Sequence, residues 1–188
     1  MSQLNENKLL VIDIETTGFD HKKDCILELG IVELNLETGE IKELLDVQFK
    51  EKHLRGRHRK SWIFEQGYMK PEDVRDAKPM EMHFEEIQSI FNKYQGRICA
   101  WNRPFDINFL ETRGFKFGKN IKDPMRESAD YFQIPNKYGQ PGKWPSAQEA
   151  WDVLFPGITK IEQHRGLDDA VMESKIIYEL VKKGVYLV

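Results

Sequence analysis

Two carboxylates stand two residues apart in this sequence, Asp13 and Glu15, at the end of the apolar run at residues 8–14. A run this rich in Val, Ile and Leu predicts a buried strand. Because side chains alternate along a strand, both carboxylates project from the same face. Ionising two close carboxylates in a partly buried site costs free energy, and a divalent cation between them removes that cost. The pair indicates a metal site, with exposed edge carboxylates as the alternative.

Two later segments carry further groups of this kind. Asp106 lies in the first turn of the helix predicted from Pro104, where a favourable interaction with the helix dipole is the alternative role. His164 and Asp169 are five residues apart, a spacing that does not place them on one helical face. We expect His164 in the loop before the last helix, Asp169 in its first turns, and Asp168 exposed. A histidine suits a general base at neutral pH, and a surface or capping histidine is the alternative.

The elements that must position these residues form an α/β pattern. Apolar runs predict strands at residues 8–14, 25–36, 41–49 and 97–101. The turn at 37–40 is short, so the first three strands form an antiparallel meander. Helices are expected at 71–74, 81–94, from Pro104, in the segment 120–132 after Pro124, at 146–154 behind a Ser146 cap, and at 167–183. Glycine-rich phosphate loops of the GxGxxG or GxxxxGK[ST] type do not occur.

Composition fits a folded chain, because 40% of the 188 residues are hydrophobic and the net charge is only −3. This length predicts a single domain over residues 1–188. The first residues lack the apolar core of a signal peptide, and no apolar run is long enough for a membrane helix. Cys25 and Cys99 lie in apolar runs, which predicts reduced cysteines in the core. We therefore expect a soluble, cytoplasmic protein without membrane contact.

One local excess of charge interrupts this balance. Residues 50–60 contain six Lys and Arg against one Glu. A phosphate-contacting patch and a solvated loop are both compatible with such a run. The chain as a whole is not basic, so any contact with a polyanion must be local or mediated by metal.

Taken in order, three segments of the chain resemble the exonuclease motifs of the DEDD superfamily. They are DIETTG at 13–18, NRPFDINFL at 102–110 and HRGLDDA at 164–170. A histidine five residues before the last Asp is typical of the DEDDh branch, so the sequence resembles that branch in particular. The branch includes the DnaQ-like proofreading exonucleases, RNase T and oligoribonuclease. The resemblance runs from about residue 8 to residue 178. It implies an RNase H-like fold, with a mixed five-stranded sheet (the meander plus parallel strands) flanked by helices.

The same resemblance implies a metal-dependent 3′→5′ exonuclease that releases nucleoside 5′-monophosphates. Two divalent cations, Mg²⁺ or Mn²⁺, would be held by four carboxylates, and His164 would be the general base. The four implied metal ligands are Asp13, Glu15, Asp106 and Asp169, with Asp13 bridging both ions. Hard cations prefer such oxygen ligands, and two of them suit an in-line displacement at phosphorus.

Further positions are implied to contact the substrate, which would be a nucleic acid with a free 3′ end. Thr16, Thr17 and Phe19 follow the first motif, where a tight loop around Gly18 is the alternative interpretation. Asn102 matches a polar family position and could equally be a helix N-cap. Trp101 and Trp144 suit base stacking less well than core packing.

The polymer itself is open at this point. Single-stranded DNA is favoured, whereas an RNA-trimming or oligoribonuclease-like enzyme and a non-catalytic nucleic-acid-binding module on the same fold are the alternatives. The motifs leave a polymerase partner open and do not predict an oligomeric state.

Overall fold

A computed structural model describes residues 6–52, 54–119 and 121–188. Its sheet contains four strands in the order β3-β2-β1-β4. They are β1 (Lys8–Thr16), β2 (Ile26–Asn35), β3 (Ile41–Gln48) and β4 (Ile98–Cys99). β2 pairs antiparallel with both β1 and β3, whereas β4 runs parallel to β1. The predicted meander and the positions of all four strands are confirmed.

The expectation of a fifth strand is wrong for the described part of the chain. Residues 115–118, which follow helix α4, belong to neither a helix nor a strand. The side-chain amide of Gln88 binds Lys116 instead, donating to its carbonyl at 2.9 Å and accepting from its N–H at 2.8 Å. Phe115 stacks on Phe84, with ring centroids 4.6 Å apart. The backbone of Lys116 and the ring of Phe115 thus have partners outside the sheet.

Eight α-helices surround the sheet within the described residues. They are α1 (Trp62–Glu65), α2 (Pro71–Asp76), α3 (Phe84–Lys93), α4 (Arg103–Thr112), α5 (Pro124–Glu127), α6 (Ala129–Phe132), α7 (Ala147–Leu154) and α8 (Gly166–Lys182). The segment expected to be helical after Pro124 is divided into α5 and α6 at Ser128, and Asn120 at its start lies outside the described residues. The predicted cap of α7 is confirmed, because Ser146 Oγ accepts from the Glu149 N–H at 3.1 Å.

Helices cover both faces of the sheet. α7 and α8 bury one apolar cluster against it, and α3 and α4 bury a second on the other face. Cys25 and Cys99 are buried and free, as expected. None of the helices in the described ranges is long and apolar enough to cross a bilayer.

The N-terminus of α8 lies directly on the strand backbone. A Cβ added at Gly30 would stand 2.2 Å from the backbone of Gly166. Gly30 is in turn the cross-strand partner of Asp13. Two residues without side chains therefore let the start of α8 approach β1 closely, and this approach brings Asp169 toward the carboxylates of the first strand.

Candidate active site

Three of the predicted groups meet at the end of β1. Ligand atoms of Glu15, His164 and Asp169 all lie within 4.8 Å of one another. Glu15 comes from the strand, His164 from the loop before α8, and Asp169 from the first turn of that helix. The predictions for His164 and Asp169 are confirmed in position, and Asp168 is exposed as expected.

Asp13, on the same strand as Glu15, and Asp106, in α4, are electrostatic neighbours of this cluster, although neither belongs to the set of ligand atoms within 4.8 Å of one another. The Oδ1 atom of Asp106 accepts a hydrogen bond from the Ile14 N–H at 3.1 Å, which ties the start of α4 to β1. Asp106 is only 2% exposed. Asp13 Oδ2 is buried and has no hydrogen-bond partner among the described residues. A buried, unpartnered carboxylate oxygen is a ready ligand for a cation.

Burial raises the pKa of each of the four carboxyl groups assigned to the cations. Burial raises the pKa of Asp13 well above its usual value, and nearby carboxylates raise it further. Burial and the Asp169 carboxylate raise the pKa of Glu15 to about 9. Burial also raises the pKa of Asp106 and of Asp169, against hydrogen bonds from backbone N–H groups that lower both. Four carboxylates that resist ionisation together fit divalent cations, whose charge removes the repulsion.

His164 lies in an aromatic surrounding that sequence reasoning missed. Its ring contacts the rings of Trp62 and Tyr68 edge-on, with centroids 4.7 Å and 4.4 Å away. Burial lowers the pKa of His164. The imidazole is therefore neutral near pH 7, which is the form able to accept a proton. Neither aromatic lies near His164 in sequence, so no local signal could have identified them.

A further buried carboxylate, Glu173, was also missed. It is 4% exposed and accepts the Trp101 N–H at 3.0 Å. Among the neighbouring charges, Glu173 raises the pKa of Asp13 most. Its position one helical turn after Asp169 on α8 is the signal that could have found it, because residues four apart share a helix face.

The residues predicted to contact the substrate differ in whether their side chains already have partners within the protein. Thr16 Oγ1 donates to the Gly18 carbonyl at 2.8 Å, and Thr17 Oγ1 accepts from the Cys25 N–H at 2.9 Å. Both hydroxyls therefore shape the loop. Phe19, by contrast, is 92% exposed, with its ring centroid 6.2 Å from that of Phe105.

Asn102 occupies the N-cap position of α4 in the left-handed region, with φ 59°, but its side chain makes no capping hydrogen bond. The N-cap interpretation is therefore correct for its position and wrong for its side chain. Trp101 is buried and donates to the Pro145 carbonyl at 2.9 Å, which fits core packing. Trp144 is half exposed, with the Arg126 guanidinium 4.4 Å from its ring.

Comparisons with known proteins agree with the architecture. The chain is 25% identical over 183 residues to a PolC-type DNA polymerase III of Clostridium perfringens, a match that covers 95% of this chain and 11% of that polymerase. The nuclease domain of 3′hExo, a DEDDh family member solved with bound rAMP, superposes with a TM-score of 0.71 at 17% identity, covering 97% of this chain and 95% of that one. Escherichia coli exonuclease I bound to a dT13 oligonucleotide superposes with a TM-score of 0.70 at 15% identity, over 93% and 41% of the two chains.

These neighbours share the RNase H-like fold, a mixed sheet flanked by helices. The RNase_T family model, described as an exonuclease, matches residues 10–177 and so spans all three motif segments. The chain therefore belongs to the exonuclease family that this model describes, and its three motifs resemble those of the DEDDh, DnaQ-like branch.

Proposed function

We propose that this protein removes nucleotides from the 3′ end of single-stranded DNA and releases them as nucleoside 5′-monophosphates, with divalent cations as cofactors. The observation that carries this proposal is the convergence of Glu15, His164 and Asp169 within 4.8 Å beside the unpartnered carboxylate oxygen of Asp13. Phosphodiester hydrolysis needs groups of this kind, namely ligands for cations and a neutral base, at one place.

Two Mg²⁺ or Mn²⁺ ions would be held by Asp13, Glu15, Asp106 and Asp169. When bound, these ions neutralise the carboxylates, favour ionisation of the attacking water and stabilise the leaving 3′ oxygen. Two of these carboxylates are already held by backbone donors. Asp106 accepts the Ile14 N–H at 3.1 Å, and Asp169 accepts the N–H groups of Gln163 and Arg165, each at 3.0 Å.

His164 is proposed to accept the proton of the attacking water. Trp62 and Tyr68 hold its ring in place, and their apolar surface favours the neutral imidazole. The Asp169 carboxylate, close to His164, stabilises the imidazolium that forms when the proton arrives. A base placed in this way typically contributes about 10²–10⁴ in rate.

The terminal nucleotide would lie over the loop that follows β1. Phe19 offers an exposed apolar face, backed by Phe105, on which a base can stack. Thr16 and Thr17 hold the loop closed, so its backbone groups can meet the 3′ hydroxyl. Asn102, left without a capping bond, is proposed as a polar contact at the same end of the sheet.

The choice of DNA and of a polymerase partner rests on the polymerase relative. That protein is a DNA polymerase III, and this chain spans only 11% of its length. We therefore propose that the exonuclease acts on DNA and works beside a polymerase, whereas a relative that recognises histone mRNA supports RNA as the alternative substrate.

The test is a 3′-end degradation assay. Purified protein meets 5′-labelled single-stranded DNA and RNA of one sequence, with Mg²⁺, Mn²⁺ or EDTA. We expect a ladder that shortens from the 3′ end, is absent in EDTA and forms faster on DNA. Faster degradation of RNA would indicate an RNA-trimming enzyme instead. The absence of cleavage of either polymer would favour a non-catalytic nucleic-acid-binding module. Asp13→Ala should abolish cleavage while the variant stays folded by circular dichroism.

A further inference from the structure

A cavity of about 680 Å³ opens between the loop after β1 and the basic stretch at residues 50–60. Its volume is in the range of ordinary ligand sites. It is lined by none of the carboxylates assigned to the cations and not by His164. The cavity is therefore a feature separate from the cation site.

The lining of this cavity is strongly positive. Seven Lys and Arg side chains line it against three carboxylates, in a protein whose net charge is −3. Each of the three carboxylates is already paired, Asp24 with Arg57 at 3.5 Å, Glu51 with Arg113 at 2.8 Å and Glu81 with Lys52 at 2.6 Å.

Three of the lining cations, Lys22, Lys50 and Arg55, make no ion pair within 4 Å in the part of the chain that the structure describes. His53, in the same basic stretch, lies outside that part. Positive charge inside a concave wall focuses the potential and attracts anions. Paired carboxylates and unpaired cations in one cavity are the pattern of a site for an anion.

The two walls of the cavity are fixed to each other. Arg113 donates to the carbonyls of His21 and Asp24, each at 2.6 Å. Across the cavity, His58 is 5% exposed and its Nδ1 accepts the Arg55 N–H at 3.1 Å, so its Nε2–H donates to the Lys23 carbonyl at 3.1 Å. These bonds anchor the loop at 21–24 to the basic stretch. The positive lining is thus held on a built frame rather than on free loops.

Both walls continue into the candidate active site. His21 follows Phe19 by two residues, and His58 precedes Trp62 by four. Trp62 contacts the His164 ring, and Phe19 lies against Phe105 at the start of α4. The chain on both sides of the cavity is therefore continuous with residues that contact the site, Phe19 through Phe105 and Trp62 through His164.

We infer that this cavity binds the phosphodiester backbone of the substrate strand upstream of the scissile bond, through Lys22, Lys50 and Arg55. This inference rests on the proposed function for the identity of the strand. Phosphate contacts of this kind position a strand without reading its sequence, so the cavity sets affinity and the preference for long substrates over short ones.

The test compares Lys22→Gln/Arg55→Gln with the unmodified protein and with Lys175→Gln/Lys183→Gln, two exposed cations that do not line the cavity. Binding of a 5′-fluorescent single-stranded DNA is measured by anisotropy in EDTA over a range of salt. Removal of two phosphate contacts should weaken binding roughly tenfold. The slope of log affinity against log salt, which is negative, should become shallower by about 1.4. The control variant should match the unmodified protein in both quantities.

Kinetics supply a second readout. In the cavity variant, KM for an oligonucleotide of about 20 nucleotides should rise roughly tenfold, while KM for a dinucleotide changes less than about twofold. An equal rise for both substrates, or an unchanged salt slope, would overturn the inference. So would saturable binding of inorganic phosphate as tight as that of the oligonucleotide, since a small-anion site would then be present.

The two proposals fail separately. Anisotropy in EDTA requires no cleavage, so a lowered salt slope in a protein without nuclease activity would support the cavity and refute the proposed function. Normal cleavage together with identical binding by all three proteins would support the proposed function and refute the role of the cavity.

Discussion

The carboxylate of Glu28 on β2 forms a two-pronged ion pair with the guanidinium of Arg165, the residue directly after His164. The Nε–Oε2 distance is 2.9 Å and the Nη2–Oε1 distance is 2.7 Å. Glu28 is 1% exposed and is also the cross-strand partner of Glu15. One buried carboxylate therefore fixes the loop that carries the proposed base against the strand pair that carries the proposed cation ligands.

Replacing Glu28 with Gln should weaken this link. The amide keeps the shape but loses the charge that strengthens both hydrogen bonds, so we expect a loss of about 1–3 kcal/mol in the free energy of unfolding. The kcat for DNA cleavage should fall with it, because the His164 loop is less well fixed. Urea unfolding and steady-state kinetics measure the two effects. The comparison variant is Arg165→Lys, which keeps the charge and loses the paired geometry, and it should lower kcat as well. A Glu28→Gln variant equal to the unmodified protein in both measurements would show that the ion pair does not position the loop.

Replacing Gly166 with Ala tests the close approach of α8 to the sheet. Here a Cβ would stand 2.7 Å from the Gly30 nitrogen and 3.2 Å from the Asp13 carbonyl, so α8 would have to move away. We expect a destabilisation of about 1–3 kcal/mol and a loss of cleavage. The control is Gly56→Ala, whose added Cβ meets nothing within 4 Å and which should leave the midpoint of thermal unfolding in place. Wild-type stability in Gly166→Ala would mean that the helix has room to adjust.

The pH dependence of stability without metal follows from the raised carboxylate pKa values. The pKa of Glu15 rises from 4.5 to about 9, so the folded protein holds a proton there that the unfolded chain releases above pH 4.5. Stability should then fall as the pH rises from about 5 to 8, by at least about 1 kcal/mol, or roughly 2–4 °C in Tm. Adding Mg²⁺ at pH 8 should restore it, because the cations stabilise the ionised form.

Thermal unfolding in EDTA at pH 5 and pH 8 measures this dependence. Glu15→Gln removes the titrating group and should flatten the profile and reduce the response to Mg²⁺. A metal-free protein that becomes more stable between pH 5 and pH 8 would contradict the raised pKa.

The features that the sequence predicts correctly are those that depend on residues close together in the chain. The strand that ends in Asp13 and Glu15 follows from its apolar run, and the capped start of α7 follows from Ser146 and Glu149. The position of His164 before α8 follows from its spacing to Asp169. Each of these predictions depends on residues close together in the chain, where periodicity and capping chemistry act.

Contacts between distant segments are not predicted in this way. Glu28 and Arg165 are 137 residues apart, and no pattern around either residue indicates their ion pair. The fifth strand, expected from the resemblance, fails for the same kind of reason, because the amide of Gln88 takes the backbone bonds of Lys116. The roles assigned to the site residues and the extent of the single domain stay predictions.

Replacing His164 with Ala tests the proposed base. The variant should lose about 10²–10⁴ in kcat, while KM and the anisotropy-measured affinity for DNA change little, because the imidazole acts on the water and not on the strand. A large rise in KM at unchanged kcat would assign His164 to substrate binding. Asp168→Ala, which changes an exposed acid on the same helix, should retain full kcat.

Replacing Trp62 with Leu tests what the aromatic surrounding does for the base. Burial lowers the pKa of His164, and the base is active only when neutral, so activity is lost as the pH falls through this lowered value. Loss of the indole exposes the ring to water and returns its pKa toward about 6.5, so the acidic limb of kcat/KM should move to higher pH. Trp144→Leu, at a half-exposed tryptophan whose ring partner is Arg126, should leave that limb in place. If the acidic limb of kcat/KM does not shift in Trp62→Leu while kcat falls, the indole orients the imidazole and does not set its pKa.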